Sequence, residues 1–317
     1  MLTLDRVNKS YRVGLFGGTE LRAVRDVSFD IGAGEVVSLI GESGSGKTTI
    51  GKMILRLLVV NGGSIAVDGV DIAGLAGAEL RAYYRRVQGV FQDPFSSCNP
   101  IFKVDHLFSV VRGVYFGGLS EADWRRKLAA SLGTVNLEPG QVLHKYPHQL
   151  SGGQVQRLLI ARALLLDTQF LVADEIISML DASTRIDVLN LLGDLKARGL
   201  GILFITHDLS LGNYISDRTV ILRRGRVVEM GATPKVFGNP LHPYTRMLIA
   251  SVPLLHRKWD EARPAAGDGA AAERCVYHEM YPRTAPARGD GEAPPLLAAV
   301  GDDHSVACSR ADEEGGC

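Results

Sequence analysis

Over residues 1–70 the apolar positions fall in short β-rich runs, Leu2 to Val7, Ala23 to Ile31 and Ser64 to Val67, parted by turn signals such as Gly62-Gly63 and Asp68-Gly69. That pattern predicts a small antiparallel sheet. Among these runs lies Val36-Val37-Ser38-Leu39-Ile40, a strand by its unbroken apolar character, followed by a glycine-rich stretch and a helix over Thr48 to Leu58. Residues 93–150 change character. After Asp93-Pro94 come amphipathic helical stretches, among them Glu121 to Leu132, where Trp124, Leu128 and Leu132 recur at four-residue spacing. From Ser151 to about Gly231, strand-like runs (Phe170 to Ala173, Gly201 to Ile205, Thr219 to Leu222) alternate with helices, as in a parallel α/β sheet. Beyond Thr233 the pattern weakens, and residues 261–272 and 284–301, rich in Ala, Pro, Gly and Asp, read as linker or poorly ordered surface. No internal repeat is visible.

The junction after Ile40 carries Gly41-Glu42-Ser43-Gly44-Ser45-Gly46-Lys47-Thr48-Thr49, which fits the phosphate-binding pattern G-x-x-x-x-G-K-[ST]. A strand, a glycine loop and a helix in succession make an anion cradle. Gly41, Gly44 and Gly46 let the backbone turn tightly and present N–H groups to phosphate oxygens, while the helix points the positive end of its dipole at them. Lys47 supplies a charge that reaches the terminal phosphates, and Thr48 a hydroxyl for Mg2+. ATP and Mg2+ are the cofactors this loop predicts.

Composition narrows the classes. A chain of 317 residues allows one large or two ordinary domains. Its 35 basic residues balance 35 acidic ones, so no global field draws it to nucleic acid or anionic lipid. No run of about eighteen apolar residues occurs to span a bilayer, and the segment Met1 to Tyr11 reads as an amphipathic strand rather than a signal peptide. Cys98, Cys275, Cys308 and Cys317 are too few and too scattered for a disulfide framework, which with an ATP site points to the cytoplasm.

A second motif is Leu150-Ser151-Gly152-Gly153-Gln154, followed by Phe170-Leu171-Val172-Ala173-Asp174-Glu175 and later by Ile205-Thr206-His207-Asp208. A lone SGG is a turn. Here Ser151 can cap the helix that follows, leaving free N–H groups and a positive dipole end. With the phosphate loop, the order and spacing of these segments over residues 1–232 resemble the ATP-binding cassette of ABC transporters. The resemblance implies an α/β fold of the ABC type: a P-loop nucleotide-binding domain with a RecA-like core, an antiparallel β subdomain, a helical subdomain at about 93–153, and an extension over 233–317 that is partly disordered. It also implies that the helix end at Ser151, Gly152, Gly153 and Gln154 faces the γ-phosphate bound to a second subunit. One chain then supplies half of each active site.

Phosphoryl transfer needs in-line positioning of water and neutralisation of spreading charge more than covalent help. At the end of an apolar strand, Asp174 is suited to hold Mg2+ and Glu175 to orient and deprotonate the attacking water. By resemblance, Gln92 in Val90-Phe91-Gln92-Asp93-Pro94 is the glutamine that senses metal and water and links the core to the helical insertion. His207 matches the histidine that contacts the γ-phosphate, and Asp181 the aspartate that couples the two sites of a dimer. The catalytic set is therefore Glu175, His207, Gln92 and Lys47, and the metal set Thr48, Gln92 and Asp174. Nucleotide contacts are Gly41 to Thr49, Ser151 to Gln154, Asp181 and Tyr11. Tyr11 is the aromatic platform for adenine, the alternative being a half-buried strand tyrosine, because the insertion Arg12 to Arg22 blurs the alignment. One departure is Ile176, where the family usually has proline after the acidic pair; it implies a less stiff loop.

Asn239 to Leu248 (NPLHPYTRML) resembles the segment that follows the cassette in ATPases of oligopeptide and dipeptide importers. That resemblance implies two transmembrane permease subunits, a second ATP-binding subunit (a paralogue, or a second copy of this chain), an extracytoplasmic solute-binding protein acting indirectly, no nucleic acid, and a peripheral place on the cytoplasmic face of the membrane. Peptide is the first solute expected; oligosaccharide and nickel importers share the architecture. Members often carry four tail cysteines around an iron-sulfur cluster, but only Cys275 and Cys308 match, and Tyr281 and the region of Arg288 stand at the other two places, so no ordinary cluster is expected. His278 and His304 with these cysteines give C-x2-H and H-x3-C, a set able to offer four tetrahedral ligands, against the simpler account of a vestigial tail. From another class stands a soluble ABC-type ATPase acting on DNA or the ribosome. Against it stand the neutral charge, the single cassette, the lack of a long heptad insertion and NPLHPYTRML.

Overall fold

The computed structural model describes residues 1–13, 18–252, 297–300 and 302–307. The chain runs through β1 (Leu2–Val13), β2 (Thr19–Ile31), β3 (Val36–Ile40), α1 (Lys47–Ile54), β4 (Gly62–Val67), β5 (Val70–Asp71), α2 (Gly77–Arg86) and β6 (Val87–Val90). Then come the helices α3 (Val104–Tyr115), α4 (Glu121–Thr134), α5 (Pro139–Val142) and α6 (Gly152–Leu164). The sheet resumes with β7 (Phe170–Asp174), α7 (Ala182–Ala197), β8 (Gly201–Thr206), α8 (Leu209–Ile215), β9 (Arg218–Arg223) and β10 (Arg226–Ala232). The described chain closes with α9 (Thr233–Gly238), α10 (Pro243–Ala250), β11 (Ala298–Ala299) and β12 (His304–Val306).

Two sheets result. The smaller, in the order β2-β1-β4-β5, is antiparallel throughout, and along β2 buried positions alternate with half-buried ones from Val27 to Ile31. The larger has the order β11-β12-β10-β9-β3-β8-β7-β6. Its strands β3, β7 and β8 are buried at every position, as their unbroken apolar runs require of parallel strands covered on both faces. Helix α1 fills the space between the sheets: its Ile50, Met53 and Ile54 share one core with Leu2, Leu4 and Phe29 on one side and Val37, Val172 and Leu203 on the other. The opposite face of the large sheet packs on α4, α6 and α7 through Leu132, Leu158, Ile160 and Leu192. In α4 the Ser120 side chain accepts from Asp123 N at 3.1 Å, and Trp124, Leu128 and Leu132 are buried, the face their spacing predicts.

Register places the functional loops. In the parallel strands Ile40 pairs with Thr206, Asp174 with Ile205, and Val90 with Ala173. The segments after Ile40, Val90, Asp174 and Thr206 therefore emerge along one carboxyl edge of the sheet, where open α/β sheets collect ligand-binding residues.

Two expectations need correction. Helix α1 ends at Ile54 rather than Leu58. Arg56 turns left-handed (φ 53°), its N–H donates to Met53 O at 2.9 Å and that of Leu57 to Lys52 O at 2.8 Å. These are the two bonds of a Schellman stop, made here by a residue other than glycine. Beyond Thr233 structure persists instead of weakening. Helices α9 and α10 follow, and β12 joins the large sheet against β10, pairing Met230 with Ser305, while β11 falls inside the stretch read as linker. The apolar periodicity of these pieces is short, and their anchors are buried side chains distant in sequence. The linker reading of 261–272 and the readings of Cys275, His278, Tyr281, Arg288, Cys308 and Cys317 lie outside the described residues.

Candidate functional site

The loop Gly41 to Gly46 is pressed beneath neighbouring backbone. A Cβ on Gly46 would stand 2.5 Å from Ala23 O, and one on Gly41 2.1 Å from Leu222 O; Gly46 also has φ 107° and Gly44 φ 79°. Only glycine meets both demands. Gly46 is the N-cap of α1 and offers no side-chain cap, so the N–H groups of the first helical turn are left to face whatever binds there. Ser45 is buried, with its N–H on Glu42 O at 3.2 Å, and Lys47 Nζ donates to the carbonyls of Gly41 and Glu42, both at 2.7 Å. Burial pushes the Lys47 ammonium below its ordinary range, against the attraction of Glu175, Asp174 and Glu42. Glu42, Ser43, Gly44 and Thr48 are exposed, and Thr49 is half-buried.

At the end of β7, Asp174 is only 4% exposed and accepts from Thr48 Oγ1 at 3.3 Å. Burial raises its pKa above the usual carboxylate value; the Thr48 bond and Lys47 oppose the rise, and Glu175 adds to it. A hydroxyl and a carboxylate side by side are hard oxygen donors, the kind Mg2+ takes. Among the described residues no group of three or more His, Cys, Asp and Glu gathers around a point. Glu175 sits with φ 50°, its N–H bonded to Ile205 O at 2.9 Å, which turns the chain off the strand. Its Oε1 lies 3.1 Å from His207 Nδ1. Ile176, in the place of the family's proline, is 1% exposed and packs in the core beside Ile177 and Leu180. The turn that aims Glu175 is held by burial of an aliphatic side chain rather than by a ring in the backbone. Gln92 is exposed two residues past Val90, the partner of Ala173, and so stands on the same edge as Asp174; no hydrogen bond joins it to Thr48 or Asp174.

The remaining expected residues lie apart. Ser151 caps α6 in a reciprocal box, accepting from Gln154 N at 3.2 Å while its own N–H donates to Gln154 Oε1 at 3.0 Å. Gly153 lies against Thr184 of α7, where a Cβ would come within 2.3 Å of the Thr184 methyl, and Gly152 faces Leu180. No hydrogen bond joins this helix end to the phosphate loop. Asp181 caps α7, accepting from Thr184 N at 3.0 Å, Thr184 Oγ1 at 2.7 Å and Ser183 Oγ at 2.6 Å, bonds that hold its carboxyl well below the usual range. Tyr11 is half-buried on β1 opposite Leu21, with Lys9 Nζ 5.5 Å from its ring centre; Leu21 is two residues along β2 from the Ala23 that touches Gly46. His304, offered as a tail ligand, instead puts Nε2 2.7 Å from Glu229 Oε1 in the interior.

Sequence reasoning missed Tyr244. Its hydroxyl accepts from the Glu42 N–H at 3.3 Å, and its ring is fully buried with the Arg223 guanidinium 4.7 Å from the ring centre. The two partners are 202 positions apart in the chain, so no local pattern could join them.

Comparison with known proteins places this geometry. Residues 24–178 match the ABC transporter family, and residues 228–280 match the oligopeptide/dipeptide transporter C-terminal region. A dipeptide transport ATP-binding protein, DppF, from Lactococcus lactis subsp. cremoris is 44% identical over 237 residues, covering 73% of this chain and 75% of its own. A glutathione import ATP-binding protein, GsiA, from Salmonella paratyphi A is 39% identical over 300 residues, covering 93% of this chain and 46% of its own. Among solved structures, a dimeric ATP-binding cassette in a post-hydrolysis state bound to ADP and Pi shares 29% identity at a TM-score of 0.65, over 74% of this chain and 99% of that one.

Proposed function

The chain belongs to the ABC transporter family, and from that membership we propose that it is the ATP-hydrolysing subunit that energises an importer of di- and oligopeptides. The observation that carries the peptide reading is the match of residues 228–280 to the oligopeptide/dipeptide C-terminal region, on the same chain as the phosphate loop. Gly41 to Thr49 would cradle the phosphates through backbone N–H groups, with Lys47 leaving its loop carbonyls for the terminal oxygens. Thr48 and Asp174, 3.3 Å apart, would hold Mg2+ with Gln92 beside them. The metal, when bound, neutralises charge developing on the phosphoryl oxygens. Glu175 would accept a proton from the attacking water, and His207, 3.1 Å from it, would fix the carboxylate and face the terminal phosphate.

A second subunit, a paralogue or another copy of this chain, would bring its Ser151–Gln154 helix end and its Asp181 to this site, and Tyr11 would support the adenine. No helix among the described residues is long and apolar enough to cross a membrane, so the partners that cross it would be two permease subunits, with this chain peripheral on the cytoplasmic face. Exposed apolar side chains just past Gln92 support such docking: Phe95, Ile101 and Phe102 are 41%, 76% and 44% exposed, with Val110 and Val114 exposed one helical turn apart on α3. The domain limits that accompany this reading are 1–232 for the cassette, with the helical part at about 93–153, and 233–317 for the extension.

The test is purification from membranes of the native source in mild detergent, followed by ATPase assay with candidate solutes and their binding protein. Recovery with multi-spanning subunits and stimulation by peptide-loaded binding protein is the expected result. Stimulation by oligosaccharide or nickel alone would reassign the solute, and recovery with nucleic acid or ribosomes would overturn transport.

A further inference from the structure

The extension is joined to the phosphate loop by a line of hydrogen bonds, buried from Glu229 to Tyr244 and partly buried where it reaches Glu42. Glu229, on β10 and wholly inaccessible, accepts from His304 Nε2 of β12 at 2.7 Å, from Leu241 N at 2.9 Å and from His242 N at 2.9 Å. His242 Nδ1 in turn accepts from Tyr244 N at 3.0 Å and so caps α10. From the first turn of that helix the Tyr244 hydroxyl reaches out to accept the Glu42 N–H at 3.3 Å. Glu42 is also the residue whose carbonyl receives Lys47 Nζ, at 2.7 Å. The Gly41–Glu42 peptide is thereby held from both sides, its N–H by the extension and its carbonyl by Lys47, while the next peptide is held by Lys47 at the Glu42 carbonyl.

We propose that Tyr244 is a positioning residue of the nucleotide site: its hydroxyl fixes the Glu42 peptide and sets the cradle of Gly41 to Lys47 in its binding shape before nucleotide arrives. The inference rests on reading that loop as the nucleotide site. Its physical basis is preorganisation. A loop already ordered gives up less freedom on binding than one that must be ordered by the ligand. The Arg223 guanidinium over the ring and full burial of the ring leave Tyr244 little room to withdraw the bond. Because the bond acts before the reaction and equally during it, its loss affects ground state and transition state alike, raising KM and leaving kcat nearly unchanged.

The experiment compares the full-length chain with its Y244F, T245V and K47A variants, measuring the Kd for ATP under non-hydrolysing conditions, then KM and kcat. Y244F keeps the ring and removes only the hydroxyl, the group that holds Glu42. The expected result is a Kd and KM raised about three- to tenfold, the range for one lost hydrogen bond, with kcat within about twofold. T245V removes a neighbouring buried hydroxyl on the same helix that has no hydrogen-bond partner, and it is expected to bind ATP as the wild type does. Unchanged affinity in Y244F, or equal weakening in T245V, would overturn the positioning role while leaving the nucleotide site standing. Wild-type affinity in K47A would instead overturn the site itself and the premise with it.

Discussion

Two glutamates of the same large sheet show how differently one residue type is used. Glu175, at the carboxyl edge, has a side chain 20% exposed, a left-handed backbone at φ 50°, and one hydrogen-bonding partner for its carboxylate, His207 at 3.1 Å. Glu229, on β10, is wholly buried and takes three donors, two backbone N–H groups and one imidazole. A carboxylate buried with three donors around it is a structural joint. One that keeps free lone pairs beside solvent, on a backbone held in a sparsely populated conformation, is available for proton transfer. On the proposed reading the site edge keeps a carboxylate open for chemistry, while the far edge holds the extension in place.

The sharpest test of this division is the rate at the site edge. E175Q is expected to lower ATP turnover about 10²- to 10⁴-fold by removing the base, with the melting temperature close to that of the wild type because the group is partly exposed and has a single partner. Turnover near the wild-type rate would remove Glu175 from the reaction. E229A is expected to do the converse. It leaves the N–H groups of Leu241 and His242 and the His304 ring without their buried acceptor, at a cost of about 3–5 kcal/mol in denaturant unfolding. A loss under about 1 kcal/mol would show that water replaces Glu229 easily and that the contrast between the glutamates is false.

The next effect belongs to the turn that carries Glu175. Ile176 is 1% exposed among Ile177, Leu180 and their neighbours, and I176A leaves a void beneath the acidic residue. Such cavities cost about 2–5 kcal/mol; a short turn can settle into the space, so a loss near the lower end, about 2–3 kcal/mol, is expected with a fall in turnover. Full turnover in a destabilised I176A would mean that Glu175 is aimed by its backbone bond to Ile205 alone.

What the sequence disclosed follows from chain distance. Gly41 to Thr49 can be recognised because the strand, the turn and the helix start are contiguous, and the left-handed Gly44 and Gly46 demand a residue type visible in the sequence. Parallel strands are legible as unbroken apolar runs, and α4 from Trp124, Leu128 and Leu132. Family resemblance then supplied roles for Gln92, His207 and Asp181 that spacing alone does not carry. The end of α1 is not legible in the sequence because Arg56 takes the left-handed stop that glycine usually marks. The order of the extension is hidden in the sequence because it depends on pairs such as Glu229 with His304, 75 positions apart, and Glu42 with Tyr244. A buried glutamate and a buried tyrosine carry no local periodicity that would announce a partner so distant.

The smallest expected effect separates burial from pairing at the site edge itself. Asp174 is as inaccessible as a core residue, yet its carboxylate accepts from one hydroxyl, Thr48 Oγ1, where three donors surround Glu229. Burial raises its folded pKa above the ordinary carboxylate value. Between those two values the native state binds more protons than the unfolded chain, so stability falls as pH rises through that window, and the deficit persists at neutral pH. D174N keeps an oxygen for Thr48 and removes the charge. It is expected to melt slightly above the wild type at pH 7 in the absence of nucleotide and metal, with the gap closing as pH falls into the ordinary carboxylate range, while Mg2+-dependent turnover collapses. A D174N protein that melts below the wild type at pH 7 would mean that attraction by Lys47 outweighs burial, making Asp174 a structural joint like Glu229 rather than a carboxylate held at a cost for its ligand.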